Sequence, residues 1–407
     1  MKTITSLMLL ASAGLASAAN RAAMDRLMSM KLEAQDNMER DGLFEAGRYR
    51  ASRQVKCVDG KAGEYSCNNV DLHGFLPHED LGSQTRRGND IWGWTSRDAR
   101  EFGAVDKLTE PHSWNYEGRK PRLLNVTSPV TFDKTKDLTA WYRGFGSSHN
   151  VISHEEKKMI YVVGTPRNSP CKGGLYMLDV SNPAKPTSPG CAHQDGYVHD
   201  AQCVIYTGPD RQFRGREICF NYNEDTLTIM DVTNKRNPKI ISKTPYVGAA
   251  YTHQGWLTDP VKMEYLLLDD ELDESDKTGE AKNGHTTTYI FDIKSLKKPK
   301  HTGTYQSPVK SIDHNQYVVN GLTYQANYGS GLRIVDISSV ERDPTGKSFK
   351  EVGFFDCHPE DDEQGGVVDF FGSWSVYPYF KSGYTLINSI ERGVYSVKYT
   401  GPGRKYH

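Results

Sequence analysis

Four histidines, each followed by a polar residue, open strand-like runs: His149-Asn150, His199-Asp200, His253-Gln254 and His314-Asn315. The histidines recur 50, 54 and 61 positions apart. One residue type at one place in a repeat implies a ring of side chains around an axis. Neutral imidazoles bind divalent transition metals, and nearby carboxylates or amides orient the rings. Three or four such ligands with an open position would supply a Lewis acid or an activated water. His149, His199, His253 and His314 are therefore the candidate metal ligands. Asn89 and Trp374 fill the equivalent places before and after them. Side chains alternate along a strand, so Asp90, Asn150, Asp200, Gln254, Asn315 and Ser375 form a neighbouring polar set. Asp200 or Asp313 is a candidate orienting carboxylate. The alternative is purely structural: histidines that bond between repeat units around a water-filled channel.

Two further clusters could carry chemistry. Asp269-Asp-Glu-Leu-Asp-Glu274 places Asp269, Glu271 and Asp273 on one face of an extended segment, a set suited to a hard cation. It lacks EF-hand spacing, and a solvated acidic loop is the favoured reading. Glu271 is the member to watch, because it follows the apolar run Tyr265 to Leu268. Trp92, Trp94, Trp256, Tyr317, Tyr324, Tyr328, Trp374 and Tyr377 lie on or near the inner strands. With Arg333 they could clamp a sugar or another planar ligand, although packing between units is expected for most of them. No Gly-Xaa-Ser-Xaa-Gly elbow, phosphate-binding loop or dinucleotide fingerprint is present.

These residues need a scaffold that repeats. A second series of strands does so: Leu175 to Val180, Leu227 to Val232, Thr288 to Ile293 and Leu332 to Ile337, each ending in Asp-Val or Asp-Ile before a polar turn. Arg122 to Val126 is a weaker copy with Asn125 in place of Asp. Such an Asp accepts hydrogen bonds from turn N–H groups, a structural role. Periods near 50 residues with about four strand candidates per unit describe propeller blades. In the unit after His199 the candidates are His199 to Tyr206, Arg216 to Asn221, Leu227 to Val232 and Lys239 to Lys243. The expected fold is all-β, a six-bladed β-propeller with seven blades as the alternative. A short helical extension over residues 19–56 precedes the propeller at 57–407. Met24, Leu27, Met28, Met30 and Leu32 form its apolar stripe. The last unit runs out after Val394 to Tyr399, and Asn69 to Leu76 is expected to complete it.

Residues 1–18 read as a secretory signal: Lys2, an apolar run from Ile4 to Leu15, then Ala16-Ser17-Ala18. No later stretch reaches the ~20 apolar residues that span a bilayer. The final residues suggest no lipid anchor. A secreted, extracellular protein is expected. Its 50 basic residues nearly balance 51 acidic ones, so no nucleic-acid partner is indicated. Export makes disulfides the natural state of six cysteines. The close pairs are Cys57 with Cys67, Cys171 with Cys191, and Cys203 with Cys219, although sequence alone leaves connectivity open. Cys357 is left as a buried thiol. Asn125-Val126-Thr127 is a glycosylation sequon, which makes a glycoprotein the expectation.

The chain resembles the LVIVD-repeat β-propellers, and most closely the propeller region of the secreted "choice-of-anchor" LVIVD proteins. The resembling stretches include Asn89 to Trp94, Ser148 to Asn150, Gly196 to Cys203, Gly215 to Asn221, Asn223 to Ile229, Tyr251 to Trp256, Asp270 to Glu274, Ile312 to Asn315, Tyr324 to Tyr328 and Trp374 to Tyr377. They cover most of residues 68 to 399. Residues 106 to 120 match poorly, and a carboxy-terminal anchoring segment is missing, which points to free secretion. The resemblance implies a β-propeller and no settled reaction. Two functions follow as expectations. One is a His-lined metal or ligand site that binds or acts on an extracellular carbohydrate with a divalent metal. The other is a non-catalytic scaffold that presents the loops Glu101 to Asp137 and Glu271 to His285 to an extracellular glycan or protein. The residues leave open whether the protein is an enzyme.

Overall fold

A computed structural model describes residues 22–107, 122–125, 128–130 and 139–402. The export signal at 1–18 lies outside them, as do Val126 and Thr127 of the sequon; Asn125 ends the strand Arg122–Asn125. The protein is all-β, a β-propeller scaffold. Its described strands form six antiparallel sheets. The innermost strands are Gly88–Thr95, Asn150–His154, Asp200–Ile205, Thr252–Leu257, Gln316–Val319 and Ser373–Tyr377. Each of these touches the next in turn from Asn150–His154 onward, and Ser373–Tyr377 touches Gly88–Thr95.

The unit after His199 shows how sequence becomes sheet. Its strands are Asp200–Ile205, Glu217–Tyr222, Leu227–Asp231 and Lys239–Thr244, paired in that order. All six residues of Glu217–Tyr222 are buried, so both faces of that strand meet neighbouring layers. The aspartates ending the third strands act as the turn chemistry requires. Oδ1 of Asp179, Asp231, Asp292 and Asp336 accepts from the N–H of Ser181, Thr233, Lys294 and Ser338, at 2.8 to 3.0 Å.

The two ends of the chain share a sheet. Val70–Pro77 pairs with Gly393–Tyr399, with Val394 opposite Leu76 and Tyr399 opposite Val70. The three expected disulfides are formed, and Cys357 is a buried thiol. Burial holds that thiol well above its usual pKa, and Asp356 adds to the effect.

A helix runs over residues 22–40. Its inward face is Leu27, Lys31, Ala34, Gln35 and Met38, a stripe at helical spacing with a lysine in the middle. Leu27, Ala34 and Met38 join a core cluster with Tyr251, Leu272, Ile312, Tyr328, Phe370 and Trp374. The helix therefore packs over residues that flank the histidine level.

Candidate metal centre

Local irregularities of the inner strands set the level of the ring. Pairing between Thr252–Leu257 and Tyr265–Asp270 slips between Thr252 and Gln254, which leaves His253 at a bulge. The same slip between Ser373 and Ser375 leaves Trp374 there, and one between Gly88 and Ile91 spans Asn89 and Asp90. A bulge re-aims a side chain out of the alternating pattern. His149 and His199 sit just before their strands, but their N–H groups still donate to Val163 and Tyr222 carbonyls, at 2.9 and 2.8 Å. Gly164 lets His149 come close: a Cβ there would lie 2.2 Å from His149 Cβ, and the glycine has φ +65°.

The four histidines converge. Ring centroids are 3.9 Å apart for His149 and His199, 4.4 Å for His199 and His253, and 4.2 Å for His253 and His314. Trp374 follows His314 at 4.8 Å. Among the described residues, two sets hold ligand atoms within 4.8 Å of one another: His149, His199 and His253; and His253, Glu271 and His314. His253 belongs to both.

Hydrogen bonds decide which nitrogen faces inward. His199 Nδ1 lies 3.2 Å from the His253 carbonyl, and His314 Nδ1 lies 2.6 Å from the Trp374 carbonyl. A carbonyl oxygen only accepts, so both Nδ1 atoms carry the hydrogen, and each neutral ring keeps its lone pair on Nε2. His253 Nδ1 lies 3.0 Å from Asp269 Oδ1. The Nε2 atoms of His253 and His314 are buried without a hydrogen-bond partner among the described residues. A metal-ligating histidine has this arrangement, with its outer nitrogen held by an acceptor.

Glu271 completes the second set. Its Oε1 accepts from Lys31 Nζ and from the Tyr328 hydroxyl, each at 2.5 Å. Its Oε2 is buried with no hydrogen-bond partner among the described residues and lies 3.8 Å from His253 Nε2; His314 Nε2 is 3.5 Å from Oε1. Burial keeps the imidazoles uncharged. It lowers His149 to about 3, helped by the Lys31 charge, and holds His199, His253 and His314 well below the usual value. Burial also lowers Lys31 against the pull of Glu271, and raises Glu271 against the pull of Lys31.

A cavity of about 340 Å³ opens onto the ring. Asn89, His149, His199, His253, His314 and Trp374 line it, with Leu27 and Lys31 from the helix and Arg167 and Tyr197 at one side. Of the neighbouring polar set, Asp90, Asn150, Asp200 and Asn315 also line the cavity. Asn150 Nδ2 donates to Asp200 Oδ2 at 3.2 Å, and Asn315 Nδ2 to Ser375 Oγ at 3.3 Å. Burial raises Asp200 to about 7 against the Ala201 N–H, with Asp90 adding to the rise.

Several expectations are corrected. The orienting carboxylate is Asp269; Asp200 instead holds Asn150, and both carboxylate oxygens of Asp313 are buried without a hydrogen-bond partner among the described residues, away from the cavity. Gln254 bridges to the next inner strand, its Nε2 donating to the Gln316 carbonyl at 3.1 Å. Arg333 sits on a third strand, where it meets Glu351 at 3.4 Å and lies over Phe354. Tyr324 packs against the core beside that strand. Neither lines the cavity. The segment Asp269 to Glu274 is no solvated loop: all six residues are buried, because the strand ends at Asp270 and a helical turn over Asp273–Asp276 folds inward. Glu271 and Asp273 part company there, since Asp273 Oδ2 accepts from the Tyr289 hydroxyl at 2.6 Å.

Trp92, Trp256, Tyr317 and Tyr377, each three residues along from the ring level, pack against one another between units. Trp92 meets Tyr317 and Tyr377 edge-on, and Trp256 meets Tyr317. Trp92 and Trp94 remain 42% and 52% exposed. Lys31 was not among the sequence candidates; a lysine four residues after a buried leucine reads as a solvated helix charge.

A model of the LVIVD repeat matches residues 171–190. No curated protein matches the chain. Among solved structures, a protein from Lactobacillus plantarum has 10% identity over 74% of each chain and a TM-score of 0.45. A functionally unknown protein from Desulfotomaculum acetoxidans has 12% identity over 66% of this chain and 69% of its own, at 0.40. The β-propeller domain of Cps50 (Swd1) from Myceliophteria thermophila has 11% identity over 86% of this chain and 98% of its own, at 0.42. None transfers a function.

Proposed function

We propose that the chain is a secreted six-bladed β-propeller whose axial cavity holds a divalent transition-metal ion and binds or acts on an extracellular carbohydrate. The six sheets are its blades, and helix 22–40 covers one end of the channel. The observation that carries the metal reading is the convergence of neutral histidines whose outer nitrogens are held by acceptors. Three buried ligand atoms, His253 Nε2, His314 Nε2 and Glu271 Oε2, have no hydrogen-bond partner among the described residues. Leaving such atoms unpaired costs stability, which an ion would recover. A nitrogen-rich set with one carboxylate suits zinc or its neighbours better than calcium. Such an ion would polarise a substrate oxygen or lower the pKa of a bound water. Three disulfides, and the lack of any described helix long and apolar enough to cross a membrane, support the extracellular address. The carbohydrate reading rests on the polar and aromatic cavity lining.

Elemental analysis of protein purified without a histidine tag tests the metal. The expected result is one ion per chain, lost in the double variant His253→Ala, His314→Ala, and a lower Tm after chelation. Stoichiometric absence of metal, with Tm unmoved by chelator, refutes the reading. The scaffold reading stays second. It is favoured by the exposed rings of Trp92 and Trp94, but the inward fold of Asp269 to Glu274 removes the start of one of its two proposed loops. Glycan-array binding that survives the double histidine variant would select it.

A further inference from the structure

Glu271 is a single carboxylate facing two claims on its charge. Lys31, only 4% exposed, holds Oε1 at 2.5 Å from a helix anchored by Leu27, Ala34 and Met38. Oε2 faces His253 Nε2. Lys31 Nζ also lies 4.6 Å over the Trp374 ring, so the ammonium stands at the edge of the histidine ring itself. An ion on Oε2 and the two Nε2 atoms would sit a few ångströms from this ammonium, since Lys31 Nζ and the ion would share one carboxylate. Two cations that close inside a protein repel strongly, and one carboxylate cannot neutralise both.

We propose that Lys31 and a divalent metal ion are alternative counter-cations of Glu271, which makes helix 22–40 a built-in competitor for the metal site. This rests on the metal reading above. Without an ion, Lys31 keeps the buried Glu271 neutralised and holds the helix down. When an ion binds, Glu271 turns its charge to the metal and the Lys31 ammonium leaves the ring. The site therefore binds metal more weakly than its ligands alone would, and metal binding loosens the helix.

The test uses the full chain, untagged and stripped with chelator, titrated with Zn²⁺ against a chromophoric indicator. Lys31→Met is expected to bind Zn²⁺ at least 10-fold more tightly than wild type with unchanged stoichiometry. Lys31→Arg, which keeps the charge, stays near wild type, and Glu271→Gln loses the Lys31→Met gain. If Lys31→Met fails to fold, Lys31→Gln, which retains a hydrogen-bond donor, takes its place. In parallel, acetylation of the Lys31 amine by a water-soluble ester is followed by mass spectrometry, and Zn²⁺ is expected to expose it. Unchanged or weaker Zn²⁺ binding in the folded neutral variant overturns the exchange, as does equal protection of the amine with and without Zn²⁺. Wild type that binds Zn²⁺ under those outcomes leaves the metal site standing. No Zn²⁺ binding in any variant removes both.

Discussion

Asp269 Oδ1 sits 3.0 Å from His253 Nδ1 and also accepts the Gln254 N–H at 2.9 Å. One carboxylate thus fixes both a ring and the bulged backbone that carries it. Gln316 Nε2 holds the other oxygen at 3.1 Å, tying this pair to the next sheet.

Asp269→Asn keeps the shape, removes the charge and replaces one of the two acceptor oxygens with an NH₂ donor. An amide can turn its NH₂ toward His253 and move the ring hydrogen to Nε2, the atom needed for an ion. Zinc affinity is expected to fall about 10–100-fold, the usual effect of removing an outer acceptor from a ligating histidine. Competition titration against wild type measures it, and equal affinities would remove Asp269 from the site.

Gly164→Ala probes how His149 is placed. The glycine has φ +65°, and the added Cβ would strike His149 Cβ at 2.2 Å. The strained backbone alone costs about 1–3 kcal/mol. A Tm drop is expected, because His149 must give way. A variant with wild-type Tm would contradict the tight approach.

A pH dependence comes from a buried pair outside the cavity lining. His358 Nδ1 lies 2.7 Å from Glu391 Oε1. Burial alone would lower the imidazole, but the Glu391 bond and charge overcome it and raise the pKa above 6.5. Burial likewise opposes the carboxylate, yet His358 brings it down to about 2 from 4.5. The raised histidine stabilises fully below 6.5, and its share is lost as pH rises through the folded value. The depressed glutamate stabilises fully above 4.5, and its share is lost as pH falls toward 2. Both contribute between 4.5 and 6.5. His358→Gln should cost most in that window, about 3–5 kcal/mol for breaking a buried pair. Denaturant melts of both proteins from pH 3 to 9 check it; a difference independent of pH would show that the pair is not ionised.

The histidine level is legible in the sequence because a repeat superposes its own positions: His149, His199, His253 and His314 occupy one place in successive units, and closing the units around an axis brings them together. The turn aspartates and the pairing of both chain ends in one sheet are legible for a related reason, since strand and turn chemistry is local. Arg333 and Tyr324 are misplaced by sequence reasoning because residues on second and third strands share the inner strands' composition while lying farther from the axis.

The sequence by itself determined the all-β repeat, the close spacing of the cysteine pairs and the histidine ring, all of which follow from periodicity and local chemistry. Only the tertiary structure decided which polar groups serve that ring. Asp269 and Glu271 were part of an acidic run, and Lys31 was a helix lysine far from all of them in the chain. Their pairing depends on a helix docking over the channel and a strand end turning inward. Charge inside a protein answers to distance in space, which spacing along the chain does not record.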